Sequence, residues 1–285
     1  MPNGPWCFLW QLPKLLSISP SEIILRRLFP VLFVLFAMGL SGASEAQNAA
    51  VKVNRAEMIR ILGELPSAMP IRQDLQRLGF TGQNLELAVT QAESFYKDPT
   101  IAGHIADQVI AAYSNPSFQV EAQGLIWPMV SRGMGHLTLA ELRYYYSVEQ
   151  AMINALPTRE CGRAMRGRFS DKQFADAMSR VAARLETGAL REFYRIEFKA
   201  AKLGAARGPV TLSEATKQTV GAAIDARLDV LMQDDPNAGR MRAAMQNLSR
   251  ADNKSACQVG RTFYRAVMTL DASNLRNGLL LIGRP

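Results

Sequence analysis

Histidine and cysteine are scarce in this chain of 285 residues, which has two of the first and three of the second. Neither His104 nor His136 stands within metal-ligand spacing of the other or of a cysteine. Metalloprotease, zinc-finger and c-type haem patterns are therefore missing, and neither a metal nor a cofactor is expected. The Gly-x-Ser-x-Gly elbow is also missing, which excludes an α/β-hydrolase by motif. Gly133-Met134-Gly135 lacks both the third glycine and the preceding strand of a phosphate-cradling loop, and residues 128–137 read as a flexible connector. Alternating runs of β-branched residues are lacking, and Asn277-Gly278 sits inside a helical pattern rather than at a hairpin. After residue 46 no apolar run is long enough to span a bilayer.

What the chain does have begins with Arg26-Arg27 and the uncharged run Leu28 to Leu40, 13 residues long. Ser41/Ala43 and Ser44/Ala46 follow with the spacing of a small-residue cleavage site. A basic flank, a short apolar core and a small-residue exit describe a secretory signal peptide. Cleavage after Ala46 leaves residues 47–285 as the exported body, 239 residues in all. An uncleaved inner-membrane anchor over residues 28–43 is the alternative, and both versions put the body outside the cytoplasm, periplasmic or secreted. Membrane contact is then expected through the N-terminal segment alone.

The full chain has 33 lysines and arginines against 25 acidic residues. The body keeps a net charge of +7, and residues 159–207 supply most of it, with 12 basic and 6 acidic side chains. Outside the cytoplasm such a surface meets anionic lipid head groups, lipopolysaccharide, wall polymer or an acidic protein, whereas nucleic acid is excluded by compartment. The residues assigned to the face are Arg163, Arg166, Arg168, Lys172, Arg184, Arg191, Arg195 and Lys199. Cys7 falls in the leader. Cys161 and Cys257 remain, an even count in an oxidising compartment, and are expected to form a disulfide.

The remainder reads as one helix after another, ten to twelve short ones in an irregular all-α domain over residues 47–285. Capping signals stand at Asn54/Glu57, Asp98-Pro99, Asn115-Pro116, Thr138/Glu141, Ser170/Gln173, Thr211/Glu214 and Asp235-Pro236. Stops are expected at Pro66, at Trp127-Pro128 and at Pro157, and Gly208-Pro209 is the candidate linker, a possible sub-boundary near residues 208–210. The adjacent aromatics at 95–96, 193–194 and 263–264 each put one ring in the core and the other at its margin, because neighbouring helix positions sit about 100° apart.

Glu93-Ser94-Phe95, with Gly124-Leu125-Ile126 further on, resembles the Glu-Ser and Gly-Leu-Met-Gln signatures of lytic transglycosylases. That resemblance implies a peptidoglycan-cleaving glycosidase with Glu93 as its acid. The spacing here is longer, Asp98-Pro99 intervenes, and Trp127 stands where the glutamine belongs. Composition and charge favour the other expectation, a non-catalytic binding or accessory protein of the envelope acting through the basic 159–207 face.

Overall fold

The computed structural model describes residues 54–114 and 126–283. Among these, every regular element is helical. The order is α1 (Arg55–Ala68), α2 (Ile71–Arg77), α3 (Gly82–Lys97), α4 (Pro99–Ser114), α5 (Trp127–Met134), α6 (Leu139–Ala155) and α7 (Thr158–Met165). It continues with α8 (Asp171–Ala182), α9 (Thr187–Ala206), α10 (Glu214–Gln233), α11 (Ala238–Gln246), a 3-10 turn (Leu248–Arg250), α12 (Asn253–Met268) and α13 (Ala272–Ile282). The signal-like segment 26–46, the helix expected after Asn115-Pro116 and the Gly124-Leu125 pair lie outside the described residues.

Thirteen α-helices among the described residues exceed the ten to twelve expected, because residues 127–134 and 158–165, outside the expected helices, are also helical. Residues 127–134 form α5. Trp127-Pro128 opens this helix, since a proline in the first turn lacks only an N–H that would have no partner there. Residues 158–165 form α7 directly after Pro157. Pro66 does not stop α1, which continues to Ala68. The proline forfeits one hydrogen bond in the last turn, and its ring and Leu65 are buried against the core in exchange.

Short polar side chains start most helices as expected, by accepting bonds from otherwise unpartnered N–H groups. Thr138/Glu141 and Ser170/Gln173 form complete capping boxes, and Asp98 Oδ1 accepts from the N–H groups of Thr100 and Ile101. Two caps sit elsewhere than expected. Ser213, not Thr211, accepts from the Thr216 N–H at 3.1 Å to start α10. Asp235 makes a turn by accepting from the Asn237 N–H at 2.7 Å, so α11 begins only at Ala238.

Buried side chains from Met58 to Ile282 form one contiguous cluster. At its centre α9 packs against α3, α4, α5 and α6. Helices enclosed on several sides bury more than one stripe, and for that reason both rings of each adjacent aromatic pair are buried. Glycines set two tight crossings. A Cβ on Gly133 would stand 1.7 Å from the Ala200 carbonyl oxygen, and one on Gly204 1.8 Å from that of Met129. These two glycines let α5 lie directly on α9, so Gly133 serves contact rather than flexibility. Gly162 and Gly260 do the same for α7 and α12, where the missing Cβ atoms would meet the Asn253 backbone and the Met165 side chain. The Cys161–Cys257 disulfide joins this second pair, with the Cα atoms 5.2 Å apart.

Loops and the C-terminus are tied down at the α5–α6 turn. Arg276 on α13 donates to the carbonyls of Gly135 and Leu137, both at 2.9 Å, and Ser131 donates to that of Gly283. His136 donates from Nε2 to the Gly208 carbonyl at 2.9 Å, which fastens the start of the 208–210 segment to the same turn. No described helix is long and apolar enough to cross a membrane.

Candidate functional site

Two features concentrate ionisable chemistry, one inside the core and one at the surface. The inner one is built on α6, α9 and α12. On α6 the apolar stripe runs Leu142, Tyr145, Tyr146, Met152 and Ile153, and the helical period places Glu149 in the middle of it. On α9 the stripe Leu190, Phe193, Tyr194, Ala200 and Gly204 likewise includes Glu197. Both carboxyls are enclosed, Glu197 completely and Glu149 to 7% exposure.

Hydroxyl and amide donors meet them. The Tyr264 hydroxyl reaches Glu149 Oε2 at 3.4 Å, and Tyr145 also hydrogen-bonds this carboxyl. Gln91 Nε2 donates to Glu197 Oε2 at 3.0 Å and to the Tyr194 carbonyl at 3.1 Å. Burial is the main influence on Glu149 and pushes its carboxyl up to about 8. The Tyr145 and Tyr264 hydrogen bonds oppose that rise, and the Glu197 charge adds to it. Burial therefore favours the protonated, uncharged form of Glu149. Tyr145 stacks on Phe193 with ring centroids 4.6 Å apart and meets Tyr146 edge-on at 5.4 Å. The cluster is packed into the core, with the Oε2 atoms of Glu149 and Glu197 meeting hydroxyl and amide donors.

The surface feature is the basic stretch, and its residues fall into separate groups. Arg166 and Arg168 both donate to the Ser249 carbonyl oxygen at 3.3 Å, and Arg166 also donates to Asn253 Oδ1 at 3.1 Å. Arg163 donates to the Arg168 carbonyl at 3.4 Å, with its guanidinium 4.9 Å from the Phe169 ring centroid. Lys172 is ion-paired to Asp176 one turn along α8. Arg184 donates to the Arg180 carbonyl, and Arg191 is exposed at the start of α9.

Arg195 and Lys199 gather instead around Glu141 at the N-terminus of α6. Lys199 Nζ lies 2.8 Å from its Oε1, while Arg195 is paired mainly to Glu192. Partial burial works against ionisation of Glu141, but hydrogen bonds from Lys199 and from Thr138 hold its carboxyl down at about 2. Lys202 extends this neutralised group by pairing with Asp98 at 2.9 Å. No carboxylate partners Arg163, Arg166, Arg168, Arg184 or Arg191 among the described side chains. The eight residues thus comprise three paired cations and five arginines bound to carbonyls or left to solvent.

Glu93 lies on the surface of α3, one-third exposed and ion-paired to Lys97 one turn later. His104 takes a different role from a metal ligand. Burial first, and then the Arg132 charge, lower its pKa. Its Nε2 accepts from Arg132 Nη2 at 2.7 Å, which fixes the ring as the neutral Nδ1–H tautomer because arginine only donates. No group of three or more histidine, cysteine or acidic residues suited to holding a metal occurs among the described residues. Glu149, Glu197 and Gln91 leave one trace in the sequence, a polar residue on an otherwise apolar stripe. Compared with known proteins, the chain matches no family model, no curated protein and no solved structure.

Proposed function

We propose that this chain is exported and works in the cell envelope as a non-catalytic binding protein, engaging an anionic partner through its arginine-rich α7–α9 surface. The observation that carries the reading is the set of arginines without carboxylate partners among the described side chains: Arg163, Arg166, Arg168, Arg184 and Arg191. Of the 6 acidic residues between 159 and 207, Glu197 is enclosed in the core and contributes nothing to the surface, so the outward excess of positive charge is larger than the composition implies. Buried or paired cations lend little to long-range attraction, whereas exposed ones act on a partner directly and lose strength as salt is added.

The disulfide fits an oxidising compartment and keeps α7 on α12 while that surface binds. The test is co-sedimentation with anionic vesicles or wall sacculi after changing Arg163, Arg168, Arg184 and Arg191 together to glutamate. Each basic residue near an anionic surface adds about 1 kcal/mol, so losing four weakens binding about a thousandfold. Binding that survives the four changes at low salt would show the charge to be a solubility device.

A further inference from the structure

Arg163, Arg166 and Arg168 converge at one junction, where the end of α7 meets the 3-10 turn leading into α12. Three N–H groups, two from Arg166 and one from Arg168, share the single Ser249 carbonyl oxygen, all at 3.3 Å. A carbonyl has two lone pairs, and a guanidinium has five donors and no acceptor. Arg168 is exposed, and Arg163 and Arg166 are partly so, which leaves most of their donors to solvent. Two nearby acids whose side chains are described are engaged elsewhere. Glu160 pairs with Arg180, and Asp252 accepts from Lys254 and Ser255 to cap α12.

Like charges held on one oxygen repel, and Phe169 under Arg163 offers only the face of a ring. Packing and the disulfide keep them together without a neutralising group of the protein's own among the described side chains. We propose that this triad is a binding site for a phosphate monoester, a compact dianion whose several oxygens match forked guanidinium donors. The site rests on the reading of the basic surface given above and names the group that surface recognises. Arg163 and Arg168 supply the free donors. Arg166 anchors the site to Ser249 and Asn253.

The test uses the disulfide-bonded protein as purified from cells. Inorganic phosphate is titrated against it at constant ionic strength while NMR follows the arginine Nε–Hε resonances. Saturable shifts are expected at Arg163, Arg166 and Arg168 but not at Arg184 or Arg191. Because charged hydrogen bonds contribute strongly, Arg168→Gln and Arg163→Gln should each weaken phosphate by about tenfold or more, with Arg191→Gln unchanged. Arg166→Gln is avoided, since it would also loosen the junction.

Vesicles distinguish the source of the phosphate. A preference for phosphatidic acid over phosphatidylglycerol at matched surface charge, lost in Arg168→Gln, assigns a lipid monoester. Saturable phosphate binding without that preference assigns a soluble one, and either result supports the site. Shifts that never saturate, or equal losses in Arg168→Gln and Arg191→Gln, overturn it. Salt-sensitive vesicle binding in the same protein would then leave the broader surface reading standing.

Discussion

The crossing of α5 on α9 and that of α7 on α12 use the same device and different reinforcement. Each relies on two glycines whose missing Cβ atoms admit the other helix. Around the first, three of the cations on α9 are neutralised: Arg195 by Glu192, Lys199 by Glu141 and Lys202 by Asp98. Around the second, Arg163, Arg166 and Arg168 stand together on carbonyl oxygens, and a disulfide joins the two helices. Where nothing covalent holds the crossing, carboxylates balance Arg195, Lys199 and Lys202. Where a covalent bond does, the crossing tolerates a concentration of like charge. That contrast supports the proposal that the α7–α12 end is the binding end.

The comparison is broken most severely at the first crossing. Gly133→Ala puts a methyl group against the Ala200 carbonyl, and only separation of the two backbones can relieve it. A loss of at least about 3 kcal/mol is expected in urea unfolding, at the upper end for overpacked sites. A change of a few tenths would mean that the crossing is not tight. Next in size is reduction of Cys161–Cys257, which closes a separation of 96 residues. Removing that constraint should cost about 2–4 kcal/mol in the same assay. It should also weaken phosphate binding, because the arginines are then free to move apart. Reduction that leaves both unchanged would detach the staple from the site.

The third effect is more gradual and comes from the core. Glu149 holds its proton up to about pH 8 in the folded protein but releases it near the ordinary value of 4.5 when unfolded. Its stabilising contribution is therefore complete below about 4.5, falls as pH rises toward 8 and is flat above that. Glu141 behaves in the opposite sense, contributing above its unfolded value and losing its contribution as pH falls through about 2. Urea midpoints measured from pH 6.5 to 8, above the range where His104 and Asp225 contribute, should thus decline more steeply in the parent than in Glu149→Gln. Parallel profiles for the two proteins would show that Glu149 does not titrate in this range.

Local signals were the most legible in the sequence. Thr138/Glu141 and Ser170/Gln173 start helices because a cap needs only residues three apart, and the cysteine count was enough to pair Cys161 with Cys257. Gly133 misled because a glycine that frees the backbone and a glycine that admits a neighbouring helix look alike until the neighbour is known. The same limit applied to charge. Arg195 and Arg168 are both basic residues in one stretch, but Lys199 and Arg195 find Glu141 more than fifty positions away, while Arg168 finds a carbonyl at Ser249. Only the fold separates neutralised cations from available ones.

The most direct measurement compares those two sets. Vesicle co-sedimentation would be followed for the parent, for Arg163→Gln/Arg168→Gln/Arg184→Gln, and for Arg195→Gln/Lys199→Gln/Lys202→Gln, each over rising NaCl. The first triple change should weaken binding about a hundredfold and flatten its dependence on salt, whereas the second should leave both close to the parent. Equal losses in the two would contradict the assignment of the α7–α12 end as the binding end.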